Sequence, residues 1–171
     1  MSPESRRVAG IVLIVLPTVV IGGVSVLSLL IGDPGYRDNP LRQDLWRAGH
    51  AHAGVLLLLS LVALRYVDET RLSERARWFV RLAFPAAAVL LPMAFFLSVL
   101  MPQDREPNAV VYLAYVGAVV LVSGMLTLAI GLLRTATSGS APGGSPSPET
   151  LSPPAPPPRA SSPTPPMGRS S

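Results

Sequence analysis

The sequence contains no cysteine and no lysine, and it has only two histidines. The absence of cysteine excludes disulfides, thiolate metal sites, iron–sulfur clusters and thiol catalysis. Charged residues make up 14% of the chain and hydrophobic residues 49%, whereas soluble proteins carry about 25% charged residues. The composition therefore predicts an integral membrane protein with the lipid bilayer as its partner. Because the net charge of +4 is spread over loops and a tail, no nucleic-acid partner is expected.

Four charge-free stretches mark candidate membrane spans, at residues 8–32, 48–64, 82–103 and 107–133. A bilayer core requires about 20 helical residues, with a lower limit of about 17. Trp46 and Tyr66 flank the second stretch as interfacial aromatics. With such flanks included, we predict spans at 8–32, 46–66, 79–102 and 107–133. The first span is too long for a signal-peptide core and is expected to be retained. The predicted fold is an all-α, antiparallel four-helix transmembrane bundle in residues 1–134.

Arginines are distributed unequally between the two sides of these spans. Eight lie on the side of the N-terminus, the second connection and residue 134, and four lie on the other side. The positive-inside rule then places both termini in the cytoplasm of a multi-pass plasma-membrane protein. Residues 135–171 include eleven prolines between positions 142 and 166. This composition predicts a disordered cytoplasmic tail.

No catalytic constellation is visible in the sequence. Every carboxylate lies in a predicted loop or in the tail, and the serines within spans have no base at a readable spacing. No glycine-rich loop leads to a Lys-Ser/Thr pair. We therefore do not predict an enzyme.

His50 and His52 are the candidate ligands for a cofactor or metal ion. Side chains two residues apart on a helix are separated by about 200° around the helix axis, so the two histidines cannot coordinate the same ion. We expect His50 to reach toward the outer water and His52 to lie beside a gap left by Ala48 and Gly49. Shared chemistry would then need groups from other helices or from a second copy of the chain.

Other polar or sulfur-bearing side chains are expected at the same outer rim. The third span brings Met101, with Met93 about two turns deeper, and the fourth brings Asn108, Tyr112 and Tyr115. Such a set could bind copper, zinc or haem iron, or could pass protons. The same residues also suit plain packing and interfacial anchoring, because tyrosine is common at interfaces and methionine in apolar helices.

The stretch RAGHAH at residues 47–52 resembles the helix start that supplies a low-spin haem ligand in catalytic subunits of haem–copper oxidases and nitric oxide reductases. This resemblance implies that His50 is an axial ligand. Because the chain has no third histidine, a second ligand would have to be Met101 or Met93, or come from a homodimer. The whole chain resembles small four-helix bacterial membrane proteins of unassigned activity.

Three functions remain open from the sequence. The first is a noncatalytic accessory or structural subunit that assembles with itself or with another membrane protein. The second is a haem- or copper-binding redox or sensing protein that uses His50 or His52. The third is a small oligomeric carrier or channel, which has the least support because the spans contain no buried charge to mark a pathway.

Overall fold

The computed structural model of the protein describes residues 1–139, and the regular elements in this part are all helical. They are α1 (Pro3–Gly32), α2 (Pro34–Arg37), α3 (Pro40–Val67), α4 (Glu74–Ser98), a 3₁₀ helix (Ala109–Tyr112) and α5 (Leu113–Gly139). Four helices, namely α1, α3, α4 and α5 with the preceding 3₁₀ turn, are long and apolar enough to cross a membrane. The predicted tail from residue 140 onward lies outside the described residues.

The helix starts follow from local capping signals in the sequence. Ser2, Asp33, Asn39 and Ser73 each accept a hydrogen bond from a backbone N–H in the first turn of the helix that follows. Such caps satisfy N–H groups that have no partner within the helix. Proline occupies the first position of α1, α2 and α3, where its missing N–H costs nothing.

Most helix ends do not coincide with the ends of the predicted spans, and the C-terminal ends of the last two helices illustrate the difference. The third span was expected to reach residue 102, but α4 ends at Ser98 because Val99 leaves helical geometry (φ −136°, ψ 50°). The carbonyls of Leu100 and Pro102 instead accept hydrogen bonds from Arg42 of α3 and from Asn39, the N-cap of α3. The fourth span was expected to end at residue 133, whereas α5 continues to Gly139.

The spanning helices pack against one another in neighbouring pairs. Helix α3 packs between α1 and α4, and α5 packs mainly on α4, while α1 and α5 do not contact each other within the described residues. Half of the most apolar stretch of α4 is buried inside the protein, compared with 6% of that of α1. Helix α4 is therefore the centre of the fold, and most of the apolar surface of α1 is not covered by the rest of the described chain.

Three glycines, seven residues apart, form the face of α5 that meets the rest of the protein. A Cβ built on Gly124 would lie 2.8 Å from the Cβ of Ala83, and one on Gly117 would lie 3.0 Å from Leu91. A Cβ on Gly131 would lie 2.7 Å from the side chain of Leu72. The missing side chains let α5 approach α4 closely, which is the usual role of small residues between membrane helices.

The helix ends define two sides of the molecule. We call the side that holds residues 1–7, 65–81 and 134 the N-terminal side, and the side that holds residues 33–47 and 99–112 the opposite side. On the N-terminal side, Ser2 contacts Asp68. On the opposite side, Asn39 donates hydrogen bonds to the carbonyls of Pro102 and Asp104.

Candidate functional site

The two histidines face different helices. His50 is half-buried against α1, where a Cβ built on Gly23 would lie 2.9 Å from its Cε1 and 3.0 Å from its Nε2. His52 is exposed, and its ring centroid lies 5.3 Å from that of Phe95 on α4. This differs from the expectation that His50 reaches the outer water. It packs against α1 because Gly22 and Gly23 leave room for its ring.

The gap expected beside His52 is filled by aromatic side chains. A Cβ built on Gly49 would lie 3.1 Å from the ring of Phe96 and 3.3 Å from the Cβ of Phe95. Gly49 therefore serves the close approach of α3 to α4. Space for a flat cofactor at this position would require these two rings to move.

One ring nitrogen of His52 is hydrogen-bonded to the backbone of its own helix. Its Nδ1 lies 2.7 Å from the carbonyl oxygen of Ala48, and because a carbonyl only accepts, Nδ1 carries the proton. The lone pair of the neutral ring is then on Nε2. His52 could supply this nitrogen to a haem iron or a copper ion. Within residues 1–139, no group of three or more His, Cys, Asp or Glu side chains is placed to hold a metal ion, so a complete site would need ligands from another chain or other residue types.

The other predicted rim residues do not converge on the histidines. Met93 and Met101 are 43% and 51% exposed, and Tyr112 and Tyr115 stack on each other on the surface with centroids 6.2 Å apart. Asn108 caps the 3₁₀ helix and donates to the carbonyl of Leu97. In the described part of the chain, no hydrogen bond or ring contact joins these five side chains to His50 or His52.

On the opposite side, Arg42 of α3 is hydrogen-bonded to the segment that follows α4. It is 7% exposed, its Nη2 donates to the carbonyl of Leu100 at 3.1 Å, and its Cζ lies 4.3 Å from the centroid of Trp46. Its Nε and Nη1 have no hydrogen-bond partner among the described residues, and no carboxylate there lies within ion-pair distance. Nearby, burial raises the pKa of the Tyr36 phenol. The guanidinium of Arg42 is therefore held by stacking on Trp46 and by one hydrogen bond to a carbonyl, without a counter-ion among the described residues.

Arg81 is the centre of a buried polar network on the N-terminal side. This side chain is 1% exposed and donates to Glu74 Oε1 at 2.8 Å, Asp68 Oδ1 at 3.0 Å, Ser5 Oγ at 3.0 Å and Ser2 Oγ at 3.2 Å. Ser5 is fully buried, and its hydroxyl in turn donates to Asp68 Oδ1 at 3.0 Å. The network joins the start of α1 to the end of α3 and to α4.

Asp68 is held in its charged form by this network. Partial burial acts to raise its pKa, but hydrogen bonds from the Ser2 backbone N–H, from Arg81 and from the hydroxyls of Ser5 and Ser2 act in the other direction, and the pKa of Asp68 is lowered. A carboxylate that accepts several hydrogen bonds behaves in this way. Asp68 and Arg81 therefore form a charged and hydrogen-bonded pair, unlike the unpaired Arg42.

Sequence reasoning counted Arg81 and Arg42 only toward the orientation. Arg81 lies at the start of the predicted span 79–102, and its burial corrects the expectation that the spans contain no buried charge. One local signal pointed to Arg81, since Val80 and Leu82 flank it within an otherwise apolar stretch. The partners of Arg81 in α1 are 76 and 79 residues away in sequence, and no short-range pattern reveals them.

Comparison with known proteins gives no further guide to this site. No protein-family model matches the chain, and no curated protein or solved structure matches it.

Proposed function

We propose that this protein is a noncatalytic membrane subunit with an accessory or structural role in a larger membrane assembly. The observation that supports this proposal is the large free surface of α1. A shallow, open groove that borders about 600 Å³ runs along the half of α1 nearer the opposite side. It is lined by residues of α1 and its C-cap, namely Val20, Ile21, Val24, Ser25, Ser28, Leu29, Gly32 and Asp33.

The groove is suited to a second transmembrane helix. The hydroxyls of Ser25 and Ser28 donate to the carbonyls of Ile21 and Val24 in their own helix, each at 2.9 Å. With these polar atoms satisfied, the two serines present a small and largely apolar surface. Because lipid tails give no hydrophobic gain for helix association, close packing at small residues is what favours a contact between membrane helices.

The absence of cysteine makes a single-cysteine experiment possible. The Ser28→Cys variant, carrying a photoreactive maleimide, is expected to give one discrete cross-linked protein species when irradiated in native membranes. Adding Ser25→Phe should abolish the species because the ring fills the groove. The matched control is Leu133→Cys, which is 68% exposed on α5 and should give no discrete species. Equal cross-linking from both positions, or products with lipid alone, would contradict the accessory role.

We also propose that the N-terminal side faces the cytoplasm of the plasma membrane. The supporting observation is the excess of arginine on that side, eight residues against four. Asp38 and Arg71 are both exposed and lie on different sides. A membrane-impermeant maleimide should label Asp38→Cys in intact cells but should label Arg71→Cys only after lysis. The reverse pattern would invert the proposed orientation.

A further inference from the structure

The N-terminal side carries more positive charge than its own carboxylates can balance. Eight arginines lie there together with four carboxylates, Glu4, Asp68, Glu69 and Glu74. Within residues 1–139, the ion pairs of those acids are with Arg65, Arg77 and Arg81. Among the residues of the N-terminal side that the structure describes, Arg6, Arg7, Arg71 and Arg75 form no ion pair and are exposed.

One of these arginines lines a cleft that also contains a tryptophan. The cleft has a volume of about 230 Å³ and is formed by Pro3, Glu4 and Arg7 of α1 and by Trp78 of α4. Trp78 is 40% exposed, and the guanidinium carbon of Arg81 lies 5.3 Å from its ring centroid. Because Arg81 is held in place by its buried network, its contact with Trp78 fixes the position of the indole ring at the cleft.

We propose that this cleft binds the headgroup of an anionic phospholipid, with Arg7 contacting the phosphate and Trp78 lying beside the lipid at the headgroup level. Exposed arginine attracts anionic lipid at a membrane surface, and tryptophan prefers the interface between headgroups and acyl chains. The cleft lies at the ends of two spanning helices, so a lipid reaches it by lateral diffusion within the membrane. The proposal requires only the membrane-spanning helices and does not depend on the accessory role.

Glu4 lies in the same cleft and opposes the binding of an anion. Its carboxylate forms no ion pair within the described residues, so it places a negative charge in the cleft that it shares with Arg7. The opposite charges of Glu4 and Arg7 provide a control for the experiment. Removing the charge of Glu4 must strengthen the binding of an anionic lipid, and removing the charge of Arg7 must weaken it.

Tryptophan fluorescence can report lipid binding at this cleft directly. The chain has two tryptophans, so Trp46→Phe leaves Trp78 as the only one. The full-length Trp46→Phe protein is reconstituted in phosphatidylcholine vesicles that contain a small fraction of brominated phosphatidylglycerol or of brominated phosphatidylcholine. We expect stronger quenching of Trp78 by the brominated anionic lipid, and the dependence on its mole fraction gives a relative association constant.

In this background, Arg7→Gln is expected to lower the relative association constant about fivefold, which corresponds to ~1 kcal/mol per arginine at an anionic surface, and Glu4→Gln is expected to raise it. The matched control is Arg75→Gln, which removes the same charge from the same side but does not line the cleft. A much smaller effect of Arg75→Gln supports the site.

Three results would overturn the proposal. Equal effects of Arg7→Gln and Arg75→Gln would show a diffuse surface charge instead of a site. Equal quenching by the two brominated lipids would show no selectivity for anionic lipid. Loss of the selective quenching on addition of inorganic phosphate would show that the cleft takes a soluble phosphate rather than a lipid headgroup.

Discussion

Replacing Arg81 with methionine is expected to lower the free energy of unfolding by about 3–5 kcal/mol, the usual result of removing one partner from a buried ion pair. Methionine has a similar length but cannot donate to Asp68, Glu74, Ser5 or Ser2. Asp68 would be left with its charge partly buried and without its cation. Reversible unfolding in detergent, followed by circular dichroism, measures this loss.

Arg42→Met is the matched control for this substitution. Arg42 is also buried, at 7% exposure, but it has no counter-ion among the described residues and two of its nitrogens have no partner there. Replacing such an arginine leaves no charge behind, so we expect a change within about 1 kcal/mol, because an unmatched buried cation carries a desolvation cost that methionine avoids. Equal losses for the two variants would contradict the distinction between a paired and an unpaired arginine.

A second substitution tests whether the loss at Arg81 arises from the unpaired carboxylate. If it does, adding Asp68→Asn to Arg81→Met should restore part of the lost free energy of unfolding, whereas Asp68→Asn alone should destabilise the protein. A double-mutant cycle measures this coupling. Additive losses would show that Asp68 and Arg81 act independently.

Replacing Gly124 with leucine is expected to destabilise the protein by about 3 kcal/mol, at the upper end of the usual range for overpacking. The Cβ alone would lie 2.8 Å from the Cβ of Ala83, and Ala83 has no side-chain torsion with which to move away. Helices α4 and α5 would have to separate. Gly124 is a better test than Gly131, whose neighbour Leu72 can change rotamer.

The matched control is Gly10→Leu on α1. A Cβ at Gly10 meets nothing within 4 Å, so a side chain there starts in open space, unlike one at Gly124. Since leucine is the better helix former by up to ~1 kcal/mol, Gly10→Leu should be neutral or stabilising. The same unfolding measurement applies to both variants. A similar loss at both positions would mean that leucine disturbs these helices for a reason other than contact between α4 and α5.

The sequence predicted the elements whose signals are local. Charge-free stretches predicted four helices, and the cap of α4, where Ser73 accepts from the Ala76 N–H, is likewise a local feature. These features depend on residues within one or two turns of each other. Hydropathy and capping chemistry are sufficient to identify them.

The long-range contacts could not be predicted in the same way. Helical geometry requires His50 and His52 to point in different directions, but it does not say which helix each one meets. His50 lies against α1 only because Gly22 and Gly23 are at the matching height, and the gap at Gly49 is closed by Phe95 and Phe96. Likewise, the position of Arg81 beside Ser5 depends on the relative register of two helices, which a single sequence does not specify.

The network around Arg81 also has a consequence for the biosynthesis of the chain. Ser5 is synthesised 76 residues before Arg81, an interval of about 4–15 s at ordinary elongation rates. During this time α1 has neither the guanidinium that its N-terminal serines contact nor the apolar surface of α4. The start of α1 therefore gains the guanidinium only after the first turns of α4 are made, whereas the rest of α1 can pack on α3, its main neighbour, before that.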